Sequence, residues 1–203
     1  MLSTAFLLDA CGQNGSSYSS ERKGYEDFAS TQIRSLSEKL TPAFVQYLSS
    51  TEATAIDSKQ FAQTVFPSIQ GFQNEICNRV VELSKRAGSG SEKASRMQKV
   101  EDETTTSLRD AVAFALLKLV SERDLQERDA LLAKLPVSVS AEGGSQLTGV
   151  EALRSLGLVD SNGVWSQPTP GSDTYARYRN WFDAAPFSGK VITITGGNVE
   201  CDY

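Results

Sequence analysis

NRVVELSKRAGSGSEKASRMQKVEDET, residues 78–104, is the stretch on which the fold turns. It joins two apolar-periodic runs through a polar, basic interval. Upstream, Phe61, Val65, Ile69, Phe72, Ile76, Val80 and Leu83 recur at steps of three and four, the spacing of one helix face. Downstream, Leu108, Val112, Ala115, Leu116 and Leu119 share such a face. Between them Ala87-Gly88-Ser89-Gly90-Ser91 interrupts both patterns, so Ser84–Lys99 reads as a flexible loop. The second helix is then expected to start near Val100. Glu101, Asp102 and Glu103 would stand at its amino end, where the helix dipole favours acids. A loop of that length reverses the chain, and the two helices run antiparallel. Around the loop stand Arg79, Lys85, Arg86, Lys93, Arg96 and Lys99 against Glu82 and Glu92, so the hairpin tip is cationic.

Working outward, Pro67 should kink the first of these helices or mark its start. Met1–Ala10 reads as a short apolar helix and Gly12–Ser20 as a polar turn. Glu21–Leu40 reads as an amphipathic helix with Tyr25, Phe28, Ile33 and Leu36 on one stripe. Thr41–Asp57 is less regular, with Pro42, Phe44, Val45, Tyr47 and Leu48 as packing residues. Beyond the hairpin, Glu122–Arg128 carries the helix outward and Pro136 ends it. The remainder reads as a linker at Ala141–Ser145 and a short helix over Gly149–Leu158 closed by Gly157. A turn and strand around Trp165 follow, then an aromatic stretch over Tyr175–Asp183 and an alternating strand at Lys190–Thr195.

Composition narrows the chemistry. The chain has 203 residues, of which 39% are hydrophobic, enough to bury a core. Its net charge is -5, so any nucleic-acid site has to be a local basic patch on an acidic body. It has no histidine, which removes Ser-His and Cys-His catalysis and His-ligated zinc. Cys11, Cys77 and Cys201 are odd in number, far apart and without CxxC spacing, so free thiols in a reducing compartment are expected. The N-terminus lacks the basic start of a signal peptide, and Asp9 interrupts its apolar run. No apolar stretch reaches the roughly 20 residues that a membrane span needs.

Several short motifs share an order and spacing with one known family. Asn78-Arg79-Val80-Val81-Glu82 resembles the end of the inward-running helix of the coat proteins of rod-shaped plant RNA viruses, the tobacco mosaic virus type. Lys99-Val100-Glu101-Asp102-Glu103-Thr104 resembles the start of their returning helix, and Phe6-Leu7-Leu8-Asp9-Ala10-Cys11 their first helix. The resemblance spans about residues 1–136 and is absent afterwards. It implies an all-α fold, an antiparallel four-helix bundle over 1–136. A C-terminal extension of short helix and strand, 137–203, would then lie at the outer surface of the rod.

The function so implied is a structural capsid protein that self-assembles into a helical rod and encapsidates single-stranded genomic RNA, in the virion and the host cytoplasm. The RNA-binding set it implies is Asn78, Arg79, Arg96, Lys99, Glu101 and Asp102. Cations would meet phosphates and carboxylates would accept from 2′-hydroxyls. The chain departs from the family at Cys77, Gln98 and Lys99, where the family carries further arginines. Glu82 and Glu92 align with inter-subunit carboxylates, whose mutual repulsion would govern disassembly. No cofactor is expected apart from a weak Ca2+ at those carboxylates. The expected partners are single-stranded RNA and further copies of the chain, with no membrane. The alternative is a non-viral helical-bundle adaptor that binds RNA or an acidic partner through its basic hairpin. The chain does not read as an enzyme: it has no nucleophile-base pair, no phosphate-binding glycine motif and no metal-ligand cluster.

Overall fold

The computed structural model describes residues 10–48, 59–141 and 143–203, without the side chains at 10–16, 59–62 and 125. The expected helix at Met1–Ala10, the end of Thr41–Asp57 and the side chain of Phe61 lie outside the described residues. Among those described, the chain is mainly helical. The elements are α1 Ala10–Leu48, α2 Lys59–Ser84, α3 Gly90–Ser121, α4 Leu125–Lys134, α5 Gly149–Leu156, α6 Asp173–Ala184 and α7 Pro186–Thr195. One antiparallel hairpin joins β1 Ser138–Ser140 to β2 Gln146–Thr148.

Three long helices make the body. Their cores follow the periodicity: Val65, Ile69, Phe72, Ile76, Val80 and Leu83 of α2 are buried, as are Leu108, Val112 and Leu116 of α3. On α1, Tyr25, Leu36, Leu40 and Phe44 face inward. α1 packs along both α2 and α3, and α7 packs against α2 and α3 as well. The C-terminal part is thus built onto the hairpin.

Several expectations need correction. The Gly12–Ser20 turn is helical, and α1 continues unbroken to Leu48. The loop between α2 and α3 is only Lys85–Ser89, and α3 starts at Gly90, ten residues before Val100. Glu101, Asp102 and Glu103 therefore lie three turns inside α3, away from its positive end. Ser and Gly favour loops, but Met97 and Val100 are fully buried one turn apart, and that packing holds the added turns. The helix does not run on through Arg128. It ends at Ser121, and Asp124 caps a new helix by accepting from the Glu127 amide. Lys190–Thr195 is helical too, because Pro186 starts α7 and Val191, Ile194 and Thr195 fall on one buried face at i, i+3, i+4. The helix closed by Gly157 is as expected: the glycine has φ 76°, the left-handed conformation that ends a helix.

α6 is anchored to α3 through one carboxylate. Asp110 accepts from Tyr175 Oη at 2.6 Å, Tyr178 Oη at 3.2 Å and Arg179 Nη1 at 2.7 Å. Burial, and then the neighbouring carboxylate, push both tyrosine hydroxyls well above the ordinary range, so they remain donors. Phe114, Tyr178, Trp181, Phe182 and Phe187 stack around this anchor.

Candidate nucleic-acid interface

The short α2–α3 turn, the first half of α3 and residues 18–26 of α1 share one end of the molecule. Helical geometry sorts their side chains onto three faces, since neighbours along a helix point about 100° apart. On α3, Arg96, Lys99 and Glu103 point toward α1. Gln98 and Asp102 point outward and bond to each other at 2.9 Å. Glu101 points the opposite way, toward the C-terminus.

Arg96 and Lys99 are brought together. With Tyr18, Arg22, Glu26 and Glu103 they line a shallow groove of about 290 Å³ between α1 and α3. The Arg96 guanidinium lies 4.6 Å above the Tyr18 ring, a cation–π contact. It also donates to the Ala87 carbonyl at 3.0 Å and pairs with Glu92 at 2.6 Å, so Arg96 braces the turn. Lys99 extends into solvent with 75% of its side chain exposed, 3.8 Å from Glu103. Arg22 bridges Glu26 and Glu103. Beneath the groove Tyr25 donates to Thr104 at 2.5 Å, because the Thr104 hydroxyl proton is taken by the Val100 carbonyl.

Arg79 stands on the other flank of α1, where its guanidinium meets Glu21 at 3.5 Å. Arg79 and Lys99 thus reach the same turn of α1 from two sides. Asn78 is exposed. Glu82 is exposed and bound by Lys85 at 2.6 Å, which holds its carboxyl below the usual range. Glu92 is exposed and committed to Arg96. Four of the six tip cations are therefore paired within the chain, whereas Arg86 and Lys93 make no ion pair among the described residues. Tyr18 and Arg22 escaped the sequence reading: Tyr18 fell in a presumed turn, and the i,i+4 pair Arg22/Glu26 reads as an ordinary solvated helix face.

Glu101 is not open to a ligand. It is 6% exposed and accepts from the Cys201 amide at 2.7 Å and from Tyr203 Oη at 3.4 Å. The C-terminal segment Asn198–Tyr203 crosses the α2–α3 face as a strap. Asn198 is held by Arg109 at 2.7 Å, the Val199 amide by Thr105 at 2.9 Å, and the Tyr203 ring lies 5.7 Å from Lys93 Nζ. Cys77 and Cys201 form a disulfide with Cα atoms 5.2 Å apart, which corrects the expectation of free thiols at these two positions. Nothing in the spacing signals a bond across 124 residues. Ordering this strap costs about 1–2 kcal/mol per residue. Its hydrogen bonds return about 1 kcal/mol each, and burying Val199 about 1.5–3 kcal/mol. The balance is near zero or unfavourable without the covalent bond.

Burial raises the Glu101 carboxyl above its usual value, with Glu200 and Asp102 adding repulsion and the two donors opposing. The folded state thus holds this proton after the unfolded chain has released it, and stability falls as pH rises through and above the ordinary carboxylate range. Glu101→Gln is expected to flatten this decline in urea titrations run through and just above the ordinary carboxylate range. An unchanged slope would place the effect elsewhere.

The chain matches no family model, no curated protein and no solved structure. Among the described residues no helix is long and apolar enough to cross a membrane, and no group of three or more acidic or cysteine side chains is gathered to hold a metal ion.

Proposed function

We infer that this protein is a coat subunit of a rod-shaped RNA virus, assembling with its own copies into a helical sheath around single-stranded RNA. The observation that carries this reading is the tip groove, where Arg96 stacked on Tyr18 lies beside the exposed Lys99. A cationic track with an aromatic platform is what a sequence-tolerant single-strand binder needs. In this reading Arg79, Arg96 and Lys99 meet phosphates, Asn78 donates a hydrogen bond and Asp102 accepts from a 2′-hydroxyl. Glu101 is given to the strap while the strap is closed. In this reading the bundle expected over 1–136 comprises α1, α2, α3 and the short α4, with α7 of the C-terminal part packed onto α2 and α3. Glu82 and Glu92 face neighbouring subunits only where they give up Lys85 and Arg96, and a Ca2+ ion there would depend on that exchange.

Negative-stain microscopy at mildly acidic pH, with and without RNA, tests assembly: discs or rods are expected. Binding of a single-stranded RNA across a salt series tests the groove. Lys99→Gln should reduce the slope of log K against log salt by about 0.7, one phosphate contact, and adding Arg96→Gln by a similar amount again. Circular dichroism serves as the fold control, since Arg96 braces the turn. Slopes equal to wild type in both variants would remove the groove from RNA binding. The pairing of the tip cations with Glu21, Glu82, Glu92 and Glu103 favours a second reading, a monomeric adaptor with weak affinity for polyanions. A strict monomer at high concentration, with RNA present, would select it.

A further inference from the structure

We propose that the C-terminal strap is a thiol-opened cover: reduction of Cys77–Cys201 frees Asn198–Tyr203 from the α2–α3 face and exposes Glu101 and Thr105 beneath it. Three observations converge on this. First, the strap begins at a hinge. Gly196 and Gly197 have φ of 75° and 101°, left-handed values that favour glycine, and no atom crowds either position. Second, beyond that hinge the strap is held by isolated contacts. These are the Val199 amide on Thr105, the Cys201 amide and Tyr203 hydroxyl on Glu101, Asn198 on Arg109, and the Tyr203 ring near Lys93. Of its side chains only Val199 is fully buried, so the covalent bond is what keeps the segment down. Third, both cysteines are half-buried, within reach of a small thiol.

The chemistry balances with a thiol reductant of the glutathione or dithiol class. A thiolate attacks one sulfur of the bond and forms a mixed disulfide. A second thiol resolves it, so that two RSH become RSSR while Cys77 and Cys201 each gain a hydrogen. α7 stays in place, since Phe187, Val191 and Ile194 are buried against the helices. Only the chain beyond Gly197 moves. The face so opened borders Asn78 and Lys93, at the base of the cationic tip. The proposal concerns the strap alone and stands or falls independently of RNA binding.

Two measurements on the full chain decide it. Thiol counting under denaturing conditions should find one free thiol per chain before reduction, that of Cys11, and three afterwards. Amide hydrogen exchange should show Val199 and Cys201 protected in the oxidised protein and at least about tenfold less protected after reduction, while α3 amides such as Leu116 stay protected. Cys77→Ser should reproduce the reduced pattern without reductant. Three free thiols before reduction would overturn the proposal, as would equal protection of Val199 and Cys201 in both redox states.

Discussion

Replacing Asp110 with alanine is expected to lower folding stability by about 3–5 kcal/mol, the cost of stripping one partner from a buried charged network. The side chain is 9% exposed, and its two oxygens take three donors, all from α6. Without it, the buried Tyr178 hydroxyl loses its acceptor, and Arg179 and the half-buried Tyr175 lose theirs on α3. Asp183, 2.6 Å from the Arg179 guanidinium, offsets part of the loss and places the expected value toward the lower end. Asp110→Asn keeps an acceptor and the shape but loses the charge, and should fall between alanine and wild type. Urea unfolding monitored by tyrosine and tryptophan fluorescence reads both. A loss below about 1 kcal/mol for the alanine variant would mean that ring packing alone holds α6 to α3.

The second large effect is global and comes from the cross-link. A bond between residues 124 apart restricts the unfolded chain, an effect of about 4–5 kcal/mol for loops of this length. Reduction, or Cys77→Ser, is expected to lower the unfolding free energy by that order. It should also raise the denaturant dependence, because the unlinked unfolded state expands and exposes more surface. An unfolding midpoint indifferent to thiol would show that the linked and unlinked unfolded ensembles are equally compact. This measurement reports on the unfolded chain, whereas the exchange of Val199 and Cys201 reports on the folded one, so the two are independent.

Much of the helical body is legible in the residues. The run from Val65 to Leu83 and the face of Leu108, Val112 and Leu116 bury as their spacing requires, because an amphipathic helix has one way to hide its apolar side. The local signature of Gly157 is equally direct. Where the reading fails, tertiary contacts override local preference. Gly90 to Lys99 has loop composition and is helical because Met97 and Val100 are drawn into the core. Lys190 to Thr195 alternates like a strand, yet Pro186 and Gly196 bracket it as a helix and its β-branched residues pack well enough to keep it so. In the candidate site, Arg96 and Lys99 were readable from charge near a chain reversal. Tyr18 was not, since its meeting with Arg96 depends on α1 running through a stretch rich in Gly, Ser and Asn. Glu101 shows the opposite case. An acid next to a basic turn looks available, and only the returning C-terminus reveals that it is occupied.

Both prolines within the long helices lie far from the cationic tip. Pro42 lies inside α1 and Pro67 inside α2, and Lys39 lines one surface groove with Pro67, so the two prolines fall within about a turn of each other. Each proline lacks an amide donor, so the carbonyls of Glu38 and Gln63 lose the helical bond that residues 42 and 67 would otherwise donate. Two rungs are thereby missing from nearly the same cross-section of the pair, and bending the rods there costs less than bending them elsewhere. The weakened cross-section lies near the Leu48 end of α1 and the Lys59 end of α2, so the end bearing Tyr18, Arg96 and Lys99 is built from helix whose hydrogen-bond ladder carries no proline.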